Sequence, residues 1–305
     1  MNPFNTPGFS QFTSQQSNLL SIQLSSGESF PAICLRDEDH PLLGSSSLIY
    51  TPICMSGPFK IEPGGDFDEI EKQINKLSAG FIQTRQLINE PFYAGFQQEK
   101  DWFYHQDVRT NYVVPFGLDE DTFLQSMKRD SRARVKKLLS ERDSFELKKT
   151  SEKQDVEFFS NLYENNANRL KFSPAYRFNT KNWTSLLNED MWNLYILYYQ
   201  GKAVAGCVTA DYEDGIDYTF MAYQVSKMDF SRAMILYLYL HLSEHCMGDF
   251  SMGGGITEGD ALATFKLSMG AVAQPLLRLK FINLSILRNK VSLSELKQAM
   301  LKRWP

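Results

Sequence analysis

The stretch Asp249-Phe250-Ser251-Met252-Gly253-Gly254-Gly255, continued by Asp260, by Thr264-Phe265-Lys266 and by Met269-Gly270, decides how the chain folds. Residues 249–252 pattern as a short strand and residues 260–269 as a helix. Three glycines stand between them. Without a Cβ, Gly253, Gly254 and Gly255 can take positive φ and let the backbone come close to a ligand, and a plain strand-to-helix turn uses them in the same way. Asp260 stands where a carboxylate accepts the free amide hydrogens of a helix start. General-base work is the other use of such a residue. Lys266, taken alone, reads as a lysine on the solvated face of that helix.

Outward from this segment the elements follow a regular order. Residues 151–170 read as a helix with Val156, Phe159, Leu162 and Tyr163 on one face, and 182–187 as a second helix. Three strands come next, at 194–199, 203–211 and 216–222, joined by turns at Gln200-Gly201-Lys202 and Glu213-Asp214-Gly215. A long apolar helix at 232–246 leads into the opening stretch, and a strand at 277–287 follows it. Upstream, strands are expected at 30–35, 48–50, 55–59, 81–87, 112–116 and 145–147. Helices are expected at 66–80 and at 119–140, the latter capped by Asp119 or Asp121.

The 305 residues are about twice a common domain, so two domains are expected. A net charge of -4 argues against a protein that coats nucleic acid, and no DNA partner is expected. Cys34, Cys54, Cys207 and Cys246 show no CxxC spacing, so they read as free thiols of a reducing compartment. The N-terminal residues carry no export signal, and no run of about eighteen apolar residues exists to span a membrane. A cytoplasmic protein is the expectation. His241 and His245 lie four apart on one helix, but their order is not H-E-x-x-H and no third ligand is evident, so no metal is expected. No G-x-S-x-G elbow is present for a hydrolase.

The opening stretch, with Pro275 after it, resembles the signature of the Fem family, GNAT-fold peptidyltransferases named for methicillin resistance, and of their acyltransferase relatives. That signature runs strand, Gly pair, Asp, Phe-Lys and aromatic-Gly; here Met269-Gly270 replaces the last pair. Asp130-Ser131-Arg132-Ala133-Arg134-Val135-Lys136-Lys137 resembles the Arg-rich helix that links the family's lobes. Leu162-Tyr163 through Asn168-Arg169, then Phe172 and Tyr176, resembles its Leu-Tyr, Arg and aromatic run. The likeness covers residues 110–280 well and the first hundred loosely. The order helix, helix, three-strand meander, helix, strand, helix, strand is also that of a GNAT lobe.

The resemblance implies an α/β (α+β) fold of two GNAT-like lobes, each a mixed, mostly antiparallel sheet flanked by helices. We place them at 1–142 and 143–305, with the tail 288–305 packing back on the first lobe. It implies transfer of an acyl or aminoacyl group to an amine of a cell-envelope, sugar or peptide precursor. It makes Lys266 and Phe265 catalytic, with Lys266 stabilising the oxyanion from near its helix start. It gives Arg169 the phosphates of a nucleotide-linked acceptor. Arg132 and Arg134, in a basic run with Arg129, Lys136 and Lys137, join it as binding residues beside Tyr223, Gly253, Gly254, Gly255 and Asp260. That run reads equally as a solvated helix face. Lys60, after Gly57-Pro58, is placed where the first lobe reaches the same acceptor.

The donor is left open among acyl-CoA, an aminoacyl-tRNA and an acyl carrier. Ordinary GNAT enzymes hold the coenzyme A pyrophosphate in a Gly-rich loop, and residues 224–232 contain no glycine. A GNAT-like module that binds a ligand without chemistry is the competing reading.

Overall fold

The computed structural model describes residues 6, 8, 9, 12, 18–25, 27, 29–36, 47–50, 65–73, 77–84, 95–99, 101–172, 176–212, 215–255, 259–284 and 292–301. The strand expected at 55–59, Lys60, Cys54, the turn residues Glu213 and Asp214, and the end of the strand expected at 277–287 lie outside the described residues.

In chain order the elements are β1 (Asn18–Gln23), β2 (Ser29–Arg36), β3 (Ser47–Tyr50), α1 (Gly65–Gln73), β4 (Leu77–Thr84), β5 (Gly95–Glu99) and β6 (Trp102–Pro115). After them come α2 (Glu120–Ser126), α3 (Arg129–Ser140), β7 (Phe145–Thr150), α4 (Lys153–Leu170), α5 (Thr180–Leu186), β8 (Trp192–Tyr199), β9 (Lys202–Tyr212) and β10 (Gly215–Tyr223). The chain continues with α6 (Phe230–Ser243), β11 (Asp249–Gly254), α7 (Ala261–Ser268), β12 (Val272–Asn283) and α8 (Leu293–Leu301).

Two compact units result: a central one, Thr110–Gln274, and a terminal one made of Asn2–Arg109 with Pro275–Pro305. The division drawn from sequence at 142 falls inside the central unit. The reason is packing, because Phe123, Leu124, Met127, Val135 and Leu138 of α2, α3 and their junction are buried in the central core. Residues 275–305 group with the N-terminal strands, a longer segment than the expected tail 288–305. In the terminal unit β1, β2 and β3 are antiparallel neighbours, β3 pairs β4 in parallel, and β4 pairs β12 antiparallel. Residues 77–80, expected to end a helix, instead begin β4 and pair with β3.

The central sheet runs β6-β11-β10-β9-β8-β7 and is antiparallel except for β10 with β11. This is the mixed, mostly antiparallel sheet flanked by helices that the sequence led us to expect. Helix α6 is apolar nearly all round, with Ala233, Met234, Ile235, Leu236, Leu238 and Tyr239 buried, as a helix covered on several sides must be. It packs with α2 and α3 in one core. A second core is aromatic: Trp183 of α5 meets Phe159, Tyr163, Phe178 and Phe220 edge-on at 4.9–5.3 Å.

One bulge links the two cores. The β10–β9 register shifts between Tyr218 and Phe220. Before it Ile216 and Tyr218 pack into the α6 core, and after it Met221 and Tyr223 do so, while Phe220 joins the aromatic core. An extra residue reverses the alternation of a strand.

The single helix expected at 119–140 is two, with Met127 and Lys128 extended between them. Asp119 caps α2 by accepting from the Thr122 amide at 2.7 Å. Arg132 closes its other end by donating to the carbonyls of Gln125 and Met127 at 2.8 and 2.9 Å. Among the described residues no helix is long and apolar enough to cross a membrane.

Candidate active site

β10 and β11 run parallel, but their pairing covers only Gly215–Asp217 with Asp249–Ser251. Beyond that point β10 continues to Tyr223 and β11 to Gly254, so the strands form a fork that opens toward their C-terminal ends. In open α/β sheets such a crevice beyond the carboxyl ends of parallel strands is where ligands settle.

One arm of the fork ends at the glycines. Gly253 has φ +70, a conformation that glycine takes without strain. At Gly254 a Cβ would lie 2.9 Å from the Thr110 carbonyl oxygen, so a glycine lets β11 lie close to β6. Gly255 is exposed just beyond. The carbonyls of Gly253 and Gly254 accept hydrogen bonds from Lys266 Nζ at 3.0 and 2.7 Å.

Lys266 is 5% exposed and lies in the last turn of α7, not near its start and not on a solvated face. Its ammonium stands 5.9 Å from the centre of the Tyr112 ring. Burial lowers its pKa from the ordinary 10.5 to about 8, against the pull of Asp217 and Asp260. It is therefore still mainly charged at neutral pH. Asp260 accepts from the Ala263 amide at 2.7 Å and so acts as the cap of α7.

Beneath the fork lies a buried polar string that sequence reasoning missed. Asp217, the last β10 residue paired with β11, is 6% exposed and accepts from the Tyr212 hydroxyl at 2.6 Å. Its partner across the pair is Ser251, hydrogen-bonded to Asn111 at 3.2 Å. An acid alternating with Ile216 and Tyr218 reads from sequence as a solvent-facing strand position. The meander also carries Asn193, Thr209 and Asp211, so the sequence did not mark Asp217 out.

Phe265 faces a different set of groups. The Arg232 guanidinium lies 4.9 Å from its ring centre and is paired with Asp229, which also meets Arg134 at 3.8 Å. Asp229 caps α6 through the Arg232 amide at 3.2 Å. Burial pushes its carboxyl up, but hydrogen bonds from Ser231 and Arg232 outweigh that and hold it below the usual range. The start of α6 is thus filled by the chain's own carboxylate.

The other arm of the fork ends at Tyr223. Arg169, exposed in the last turn of α4, stacks 5.4 Å from the Tyr223 ring centre and donates to Asn166 at 2.8 Å. Asn166 in turn donates to the Tyr223 carbonyl at 3.0 Å. The geometry therefore groups Lys266 with Gly253, Gly254 and Asp260 on one arm, and Arg169 with Tyr223 on the other. Arg132 is engaged in the α2–α3 turn, while Arg129, Lys136 and Lys137 are exposed along α3. His241 and His245 stand 6.4 Å apart, and no three candidate ligands gather around a metal position among the described residues.

No family model matches the chain, and no curated protein matches it. Solved structures do. FemX is similar with a TM-score of 0.61 at 11% identity, over 90% of this chain and 91% of that one. A conserved protein of unknown function from Bacteroides thetaiotaomicron VPI-5482 has a TM-score of 0.57 at 12% identity, over 92% and 91%. The L-PGS structure from Bacillus licheniformis has a TM-score of 0.52 at 12% identity, over 98% of both chains. At these identities the likeness establishes the fold alone: the chain folds like FemX, as the sequence motifs led us to expect.

Proposed function

We propose that this chain is an acyltransferase that moves an acyl or aminoacyl group onto an amine, with the reacting carbonyl lying in the fork beside Lys266. The observation that carries this reading is a buried ammonium fixed by two backbone carbonyls at the mouth of that fork. An amine attacking an acyl carbon forms the N–C bond and sends the carbonyl π pair to oxygen. The amine nitrogen gives up a proton, and the oxyanion collapses and expels the leaving group, which departs carrying that proton. An ammonium has three donors, and two are spent on Gly253 and Gly254. The third is free to meet the oxyanion, in a site where burial makes the interaction worth more than in water.

Arg169, at the end of the other arm, supplies a cation for an anionic group of the acceptor, steadied by the Tyr223 ring. Phe265 keeps α7 in place through Arg232. The sequence resemblance supports a cell-envelope, sugar or peptide precursor as acceptor. A coenzyme A diphosphate does not fit the start of α6, because the Asp229 carboxylate already takes the amide there and repels phosphate. A carrier-bound or tRNA-bound acyl group is the donor this favours. The free thiols Cys207 and Cys246 suit a reducing cytoplasm.

The same closed helix start is the observation on the side of a binding module without chemistry. A thermal-shift series with acetyl-coenzyme A, aminoacyl-tRNA and nucleotide sugars, followed by product analysis by mass spectrometry, separates the two. Acyl transfer to an amine acceptor supports the enzyme. Stabilisation by nucleotide sugars with no product from any donor supports the module.

A further inference from the structure

We infer that Asp217 is the counter-charge that keeps Lys266 an ammonium, and is thereby a positioning residue for the transfer site. The inference rests on the proposed role of Lys266. Among the described residues of the central unit, three charged side chains are deeply buried: Asp155, Asp217 and Lys266. Asp155 has its own cation, Lys148, at 3.5 Å, while Asp217 and Lys266 are buried groups of opposite charge type. The sheet register sets the Asp217 backbone near the β11 carbonyl that holds Lys266. Asp217 sits opposite Ser251, and two residues along β11 is Gly253, whose carbonyl holds Lys266 Nζ.

A buried charge with no opposite charge near it neutralises itself by gaining or losing a proton. Backbone carbonyls hold either form of the amine, so they do not supply that charge. Asp217 is fixed in turn by the Tyr212 hydroxyl. Among the described residues the other charged group facing Lys266 is Asp260, engaged as the α7 cap, and the Tyr112 ring faces it from β6.

The test reads the amine directly, in the full-length chain carrying ¹³C-ε-lysine, by NMR titration. The spectrum of Lys266→Arg identifies the resonance. Asp217→Asn and Asp217→Ser each remove the charge and keep a polar side chain, so either one that retains the wild-type circular dichroism serves. The Lys266 titration should move down by about one pH unit in that variant. Tyr212→Phe, which removes the hydrogen bond and leaves the charge, should keep it within a few tenths. Asp260→Asn, which still caps α7, should move it less than the Asp217 variants. An unmoved titration after loss of Asp217, or an equal shift in Tyr212→Phe, overturns the proposal. Because the readout is protonation and not turnover, a failure here is distinct from a failure to find acyl transfer.

Discussion

At the scale of single residues, Lys266 is held where a lysine is costly. In the unfolded chain it titrates near 10.5, in the folded chain near about 8. Between those values the unfolded state keeps a proton that the folded state has lost, so stability rises with pH across that window and is flat below it. We predict that the unfolding free energy of wild type, measured against Lys266→Met in denaturant, is constant below pH about 8 and gains about 3 kcal/mol by pH 10.5. Activity should run the other way: an ammonium that stabilises an oxyanion is lost as pH rises through about 8, so kcat/KM should fall there. A rate that climbs steadily to pH 10 contradicts that role. The residue type and its place in the Phe-Lys pair were legible in the sequence. Its burial was not, because nothing in Ala261 to Ser268 tells one lysine that two distant carbonyls await it. Asp217 was missed for the same reason, since a strand residue reveals its face only when its neighbours are placed.

At the scale of elements, the ends of α7 fix the site. Gly270 closes the helix with φ +91, and a Cβ there would lie 2.2 Å from Ser126 Oγ. Gly270→Ala should therefore lose about 2–4 kcal/mol in denaturant unfolding, through strained backbone and the clash together. At the other end, Asp260→Ala should cost about 1 kcal/mol and Asp260→Asn much less, because asparagine also caps. Equal losses would mean that the carboxylate does more than cap. Caps were the most readable feature of the chain, since Asp119 and Asp260 each stand one residue before their helices. The break at Met127 and Lys128 was hidden. The apolar spacing continues across it, and what turns the chain is a set of distant contacts: the Lys128 amide on the Ser268 carbonyl and Ser131 Oγ on Ser268 Oγ at 2.8 Å. Likewise the fork depends on where β10 stops pairing with β11 and on the bulge near Thr219, neither of which has a sequence mark.

At the scale of the molecule, the order of elements in the central unit was readable because each strand and helix there is long and strongly patterned. The unit boundaries were not, as α2 and α3 carry a charged outer face while their apolar side feeds the central core. The second, aromatic core of that unit turns on Trp183, which is fully buried. Trp183→Ala should cost about 3–5 kcal/mol, and Trp183→Phe clearly less, in the same unfolding assay. The central claim of the account is that Lys266 carries acyl transfer. The most direct measurement compares wild type with Lys266→Ala for transfer from a labelled acyl donor to an amine acceptor, with circular dichroism confirming an intact fold. The account predicts a loss of about 10²–10³ in kcat. Transfer by Lys266→Ala at the wild-type rate would contradict it.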